Sequence, residues 1–96
     1  MKYRLSALAR ADIDDIAEYF AQHNPGAGQR LLGEIRARLR FLTVHPKTGA
    51  PRDDLRPGLR CSVVGKYVIY YCIRQSLIEV LRIIYGSRDI NAIQLD

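Results

Sequence analysis

Between Val44 and Leu59 the hydrophobic pattern of this chain changes period, and that change constrains the fold more than any other feature. Upstream, Ala9, Ile13, Ile16, Ala17 and Phe20 recur at spacings of three and four, as do Leu31, Leu32, Ile35, Leu39 and Leu42. Each set makes one apolar stripe on an α-helix. Downstream, Leu59 to Val64, Tyr67 to Arg74 and Leu77 to Tyr85 are rich in Val, Ile and Tyr. Gly65-Lys66 and Gln75-Ser76 separate them as two-residue turns, so these segments read as a three-stranded antiparallel meander.

The flanking residues set the boundaries. Lys2 to Leu5 suits a short first strand, and Ser6 stands where an N-cap accepts amide hydrogen bonds from the next turn. A first helix follows from about Leu8 to Gln22. Asn24-Pro25-Gly26 breaks it and restarts a second, with Asn as cap and Pro at the first helical position. His45-Pro46 ends that helix near Val44, because the residue before proline resists the α conformation. Two amphipathic helices with so short a break form an antiparallel hairpin. Pro46 to Gly58 reads as a surface loop, and Arg88 to Leu95 as a short tail or single helical turn. The last two strands are apolar on both faces and therefore central, and the first strand must join the same sheet to pair its edge. The expected fold is α+β, in the order β-α-α-β-β-β, an antiparallel sheet with the helical hairpin on one face. Residues 1–96 are expected to make a single domain.

Composition narrows the function classes. A chain 48% hydrophobic, with 7 Gly and 4 Pro, is neither disordered nor low in complexity. Its longest uncharged apolar run, Tyr67 to Ile73, is far short of the ~20 residues of a membrane span. No apolar signal core precedes the acids at Asp12, Asp14 and Asp15, so a soluble cytoplasmic protein is expected. The net charge of +5 is unevenly spread. Most of the basic residues lie between Gly26 and Arg88, against only four acids there, and most of the remaining acids crowd into Asp12 to Glu18. Such a basic body suits an anionic partner, either nucleic acid or an acidic protein segment.

Few residues offer chemistry. Asp12, Asp14, Asp15 and Glu18 read as a solvated helix face rather than an acid/base or metal site. Cys61 and Cys72 fall on diagonal positions of a hairpin, ~7–8 Å apart, and read as reduced packing residues. Neither has ligand-spaced partners for zinc. His23 and His45 sit at helix ends without a nucleophile motif, and no phosphate-binding or dinucleotide-binding glycine pattern is present, so no cofactor is expected. What remains is a basic and aromatic set on the meander: Arg60, Lys66, Tyr67, Tyr70, Tyr71, Arg82, Tyr85 and Arg88. Arg82 interrupts the alternation Ile78, Val80, Arg82, Ile84, and an unpaired buried guanidinium is costly. Either it pairs internally, with Asp89 or Glu79, or its face opens onto a groove that another molecule fills, which is the favoured reading.

Several segments together resemble the ParE toxins of bacterial type II toxin–antitoxin pairs. They are Leu55-Arg56-Pro57-Gly58-Leu59-Arg60, Gly65-Lys66-Tyr67-Val68-Ile69-Tyr70-Tyr71, and the stretch from Ile78 through Tyr85-Gly86-Ser87-Arg88-Asp89. The opening Tyr3-Arg4-Leu5-Ser6, the Asp14-Asp15-Ile16 helix and the Pro46 to Pro51 region are similar to the same family. The likeness spans essentially the whole chain and implies the fold already read from periodicity.

That resemblance implies a protein that binds DNA gyrase without catalysis and is neutralised by a ParD-like ribbon-helix-helix antitoxin, meeting DNA only through antitoxin or gyrase. The alternative within the wider superfamily is a RelE-type, ribosome-dependent mRNA endonuclease. That branch carries lysines on the strand matching Leu59 to Val64 and an arginine after the hairpin tyrosine, where this chain has Cys61, Val63, Val64 and Val68. Only Arg88 has a counterpart, with Arg82 and Tyr85 the remaining candidates, so no catalytic residue is expected. Antitoxin contact is expected in a sheet groove around Arg60, Tyr70 and Arg82 with part of the helix hairpin, and gyrase contact at Tyr85, Arg88, Asp89 and Ile90.

Overall fold

In the computed structural model, which describes residues 1–95, strand β1 (Lys2–Leu5) runs into helix α1 (Ala7–His23) through Ser6. The Ser6 Oγ accepts the Ala9 N–H at 3.0 Å and donates to the Leu81 carbonyl at 2.9 Å, so one hydroxyl caps the helix and fixes its start against the sheet. Asn24 serves both helices. Its N–H donates to the Phe20 carbonyl at 2.8 Å, closing α1, while its Oδ1 accepts the Ala27 N–H at 3.2 Å, opening α2 (Pro25–Val44). The helices then pack closely at Gly28, where a Cβ would stand 2.5 Å from the Phe20 Cβ.

After α2 come β2 (Ala50–Pro51), β3 (Arg60–Val64), β4 (Tyr67–Arg74) and β5 (Leu77–Tyr85), then a 3-10 turn at Ile90–Ala92. The sheet order is β1-β5-β4-β3-β2. The meander is antiparallel as expected, with Cys61 opposite Tyr70 and Ile69 opposite Ile83. Gly65 has φ +59°, and Gln75 and Ser76 have φ of 53° and 60°, the paired left-handed residues of a type I′ hairpin turn.

Two expectations need correction. The sheet is mixed, because β1 lies parallel to β5, with Tyr3 beside Ile78 and Leu5 beside Val80. The hand-over at Ser6 accounts for this: its N–H donates to the Val80 carbonyl at 3.0 Å, which anchors the end of β1 halfway along β5. Pro46 to Gly58 is also not wholly a loop, since Ala50 and Pro51 pair with Cys61 and Arg60 as an edge strand. The buried Tyr71 hydroxyl holds this strand in place, donating to the Pro46 carbonyl at 2.7 Å and accepting the Gly49 N–H at 3.0 Å.

The core has two layers. Between helices and sheet lie Ile16, Ile35, Leu39, Ile69, Tyr71, Ile78, Val80 and Ile83, among others. On the opposite face, Leu59, Tyr70, Cys72, Leu81 and Ile84 are buried beneath Leu55 of the loop and Ile90, Ile93 and Leu95 of the C-terminal segment. A β-bulge reconciles the two. Tyr70 pairs with Arg82 and Tyr71 with Val80, leaving Leu81 as the extra residue. The bulge shifts the alternation by one, so Val80 and Ile83 share the helix-side layer while Leu81 and Ile84 share the other.

Candidate functional site

Arg82 sits at that bulge, and the structure assigns it a partner that the sequence reading had placed in solvent. Its Nε and Nη2 each donate to a carboxylate oxygen of Asp12 at 2.8 Å, and Asp12 Oδ2 also accepts the Ile83 N–H at 2.9 Å. The third arm, Nη1, donates to the Gln94 carbonyl. Both side chains are about nine-tenths buried. The Asp12 hydrogen bonds raise the guanidinium pKa above its already high ordinary value, outweighing the opposing effect of burial. Asp12 therefore leaves the solvated face, on which Asp14, Asp15 and Glu18 remain exposed. Arg82 pairs with neither Asp89 nor Glu79. Glu79 instead bonds Arg4 on the neighbouring strand and lies 3.4 Å from Arg74.

This geometry dissolves the groove expected around Arg60, Tyr70 and Arg82. Arg82 is buried in its ion pair, and Tyr70 is buried in the layer away from the helices. Arg60 stands opposite Tyr71 and turns its Nη1 to the Lys47 and Gly49 carbonyls, at 3.1 and 2.7 Å, pinning the loop. Of the second group, Tyr85 and Arg88 share one cavity wall. Asp89 caps the 3-10 turn by accepting the Asn91 N–H at 3.0 Å, and Ile90 packs towards the buried far face. Cys61 and Cys72 are free thiols.

The open surface lies elsewhere. Tyr19 and Phe20 on α1, Ala27 and Leu31 on α2, Lys66 at the first meander turn, Tyr67 and Tyr85 line a cleft of about 590 Å³. A second hollow of about 310 Å³ shares Tyr19, Tyr67 and Tyr85 and extends to Asp15 and Arg88. The Tyr67 and Tyr85 rings meet edge to face at 5.4 Å, and Tyr19 stacks on His23 at 4.2 Å. Tyr19 is 53% exposed and Tyr85 40%, a large aromatic area without a covering segment among the described residues. Burial pushes the Tyr67 phenol up, so it remains a neutral hydrogen-bonding group at physiological pH. A cleft of this kind offers aromatic walls for an apolar anchor and two cations, Lys66 and Arg88, for carboxylates.

Tyr19 and Phe20 were missed as surface residues because Phe20 belongs to the apolar stripe. The available signal was Tyr19 itself, an aromatic residue off that stripe. The Asp12 pairing also had a signal: Asp12 lies three residues after Ala9 and four before Ile16, on the buried stripe rather than opposite it.

A helical hairpin on a five-stranded mixed sheet, with no helix long and apolar enough to cross a membrane among the described residues, defines a small α+β protein with an open aromatic cleft. A solved structure described as the chromosomal ParDE TA system from P. aeruginosa has the same fold. It matches with a TM-score of 0.75 at 22% identity, covering 88% of this chain and 95% of that one. The family described as "ParE toxin of type II toxin-antitoxin system, parDE" matches residues 3–90. Toxin ParE1 of Caulobacter vibrioides is 33% identical over 92 residues, 94% of each chain, and Toxin ParE1 of Mycobacterium tuberculosis is 23% identical over the same coverage. The chain belongs to the ParE toxin family.

Proposed function

We propose that this ParE-family chain acts by contact rather than catalysis, inhibiting DNA gyrase through the surface around Tyr85 and Arg88, and that a ParD-like antitoxin neutralises it from the aromatic cleft. The observation that carries the contact reading is the Asp12–Arg82 pair. Of the three side chains available to an RNA-cleaving site, Arg82 is already committed to a buried carboxylate and a backbone carbonyl. Tyr85 and Arg88 remain, a phenol and a cation suited to recognition. An acidic, amphipathic antitoxin segment fits the cleft: an apolar anchor enters between Tyr19, Tyr67 and Tyr85 while carboxylates meet Lys66 and Arg88. Because Tyr85 borders both hollows, a segment seated there covers the target contact, and neutralisation follows from occlusion.

Two substitutions test the division of labour. Arg88→Ala is expected to abolish gyrase inhibition in a supercoiling assay while antitoxin affinity stays within about tenfold, ~1.4 kcal/mol. Tyr19→Ala is expected to keep gyrase inhibition and weaken antitoxin binding about thirtyfold, the cost of losing a ~2 kcal/mol aromatic anchor. Cells that retain gyrase activity, accumulate no trapped cleavage complexes and show codon-linked mRNA cuts would overturn the proposal in favour of a RelE-type endonuclease.

A further inference from the structure

Beyond Gly86, the described part of the C-terminal segment is joined to the sheet through side chains rather than through a backbone ladder. It makes no strand pairing; the 3-10 turn and the Asp89 cap are bonds within the segment itself. Among the described residues, the Gly86 N–H donates to the Lys66 carbonyl at 2.8 Å where the segment leaves β5; beyond it the inward side chains Ile90, Ile93 and Leu95 pack over Tyr70, Cys72, Leu81 and Ile84, and Arg82 Nη1 donates to the Gln94 carbonyl. The extra residue at Leu81 puts the Arg82 guanidinium where it reaches both α1 and this segment. Two of its arms are fixed by Asp12, and the third is left pointing at the Gln94 carbonyl, a three-way geometry that only a planar guanidinium supplies.

We infer that Arg82 is a positioning residue: anchored by Asp12, it latches the C-terminal segment onto the outer face of the sheet and so sets the surface that Tyr85 and Arg88 present. The segment is then a strap with a local opening of its own, separable from global unfolding. While it is closed, Ile90 is packed inward, and the apolar face of Tyr70, Leu81 and Ile84 is covered by this chain's own residues. The consequence for toxicity rests on the contact function proposed above; the latch itself does not.

Cys72 reports on the strap, because it is buried in the layer that the segment covers. In a Cys61→Ser background, the rate at which a thiol reagent modifies Cys72 without denaturant reads local opening. Arg82→Lys keeps a cation for Asp12 but lacks the third arm. It is expected to raise the Cys72 labelling rate about tenfold or more, the effect of losing one charge-assisted hydrogen bond, with little dependence on urea. Asp12→Asn combined with Arg82→Met removes both charges, retains an acceptor for the Ile83 N–H and guards against misfolding of the single variant. It is expected to show the same accelerated labelling in a protein with native circular dichroism. Unchanged Cys72 labelling in either folded variant would overturn the latch and leave Arg82 a purely structural partner of α1. Growth assays separate the two readings. Accelerated labelling with reduced toxicity supports both, whereas accelerated labelling in a chain whose unsubstituted form never impairs growth or gyrase refutes the contact function alone.

Discussion

Asp12→Asn changes one oxygen for an amide group, and the structure states what that costs. The carboxylate receives three donors: Arg82 Nε and the Ile83 N–H on Oδ2, and Arg82 Nη2 on Oδ1. Asparagine can place its single carbonyl oxygen at the Oδ2 position and keep two of these bonds, but its amide then faces the Nη2 donor. A guanidinium 11% exposed at its side chain is left without a counter-charge. Breaking a buried pair of this kind costs about 3–5 kcal/mol, and the retained acceptor for Ile83 argues for about 3. A domain of this size has about 5–14 kcal/mol in total, so the substitution takes a substantial share. At about 4–8 °C per kcal/mol, the melting temperature is expected to fall by about 12–24 °C, with a matching drop in the urea midpoint at unchanged slope. Adding Arg82→Met removes the orphaned cation and is expected to recover part of the loss, giving a coupling energy of about 2 kcal/mol in the double-mutant cycle. A loss below about 1 kcal/mol for Asp12→Asn would refute the reasoning, since that is what a solvated surface pair is worth.

Three further outcomes follow from the same structure. Tyr71→Phe deletes a hydroxyl that joins the Pro46 carbonyl and the Gly49 N–H; it is expected to cost about 2–4 kcal/mol in urea unfolding and to raise amide exchange at Gly49. Gln75→Asn with Ser76→Gly supplies the residues a type I′ turn prefers at two positions of positive φ, and thermal melts are expected to show a gain of about 1 kcal/mol; a loss would mean the turn type is otherwise. Tyr67, Tyr70, Tyr71 and Cys72 are all pushed up chiefly by burial, so their protonated forms are favoured in the folded state. The stability they contribute is complete below the unfolded-state values and is lost as pH rises through the folded ones. The urea midpoint is therefore expected to be flat from about pH 7 to 8.5 and to decline above about pH 9, and a midpoint level to pH 11 would contradict it.

Local signals made most of the architecture legible. Ser6, Asn24 and Pro25 mark helix ends because capping depends on one or two adjacent residues, and each does in the structure what its chemistry dictates. The turns at Gly65 and Gln75-Ser76 fix the meander register for the same reason. The parallel placement of β1 was not legible, because strand direction depends on where the chain returns after the whole hairpin. The bonds that decide it, from Ser6 to Val80 and Leu81, join residues more than seventy positions apart. The candidate site failed on a subtler point. A strict period of two through Ile78, Val80, Arg82 and Ile84 put Arg82 on a face with its neighbours, and the bulge at Leu81 breaks that period without any glycine or proline to announce it.

Net charge misleads about partners for a related reason. The sequence shows +5 and suggests a basic surface, yet many of its arginines are occupied within the fold. Arg38 donates to the Ser62 hydroxyl and, at the open edge of β3, to the Val63 carbonyl. Arg60 pins the loop, Arg82 holds α1, Arg52 is paired with Asp54, and Arg4 and Arg74 share Glu79. Arg38 and Asp12 also do similar work: each is a charged side chain sent from a helix to bond a backbone group, the Val63 carbonyl of β3 and the Ile83 N–H of β5, at positions past the ends of the short outer strands β2 and β1. Across the cleft and the hollow beside it the cations are only Lys66 and Arg88, set among four aromatic rings, with the Asp15 carboxylate lining the same hollow as Arg88. That balance favours a partner recognised by an apolar anchor with carboxylates beside it over a polyanion held by many phosphate contacts, each of which needs its own cation.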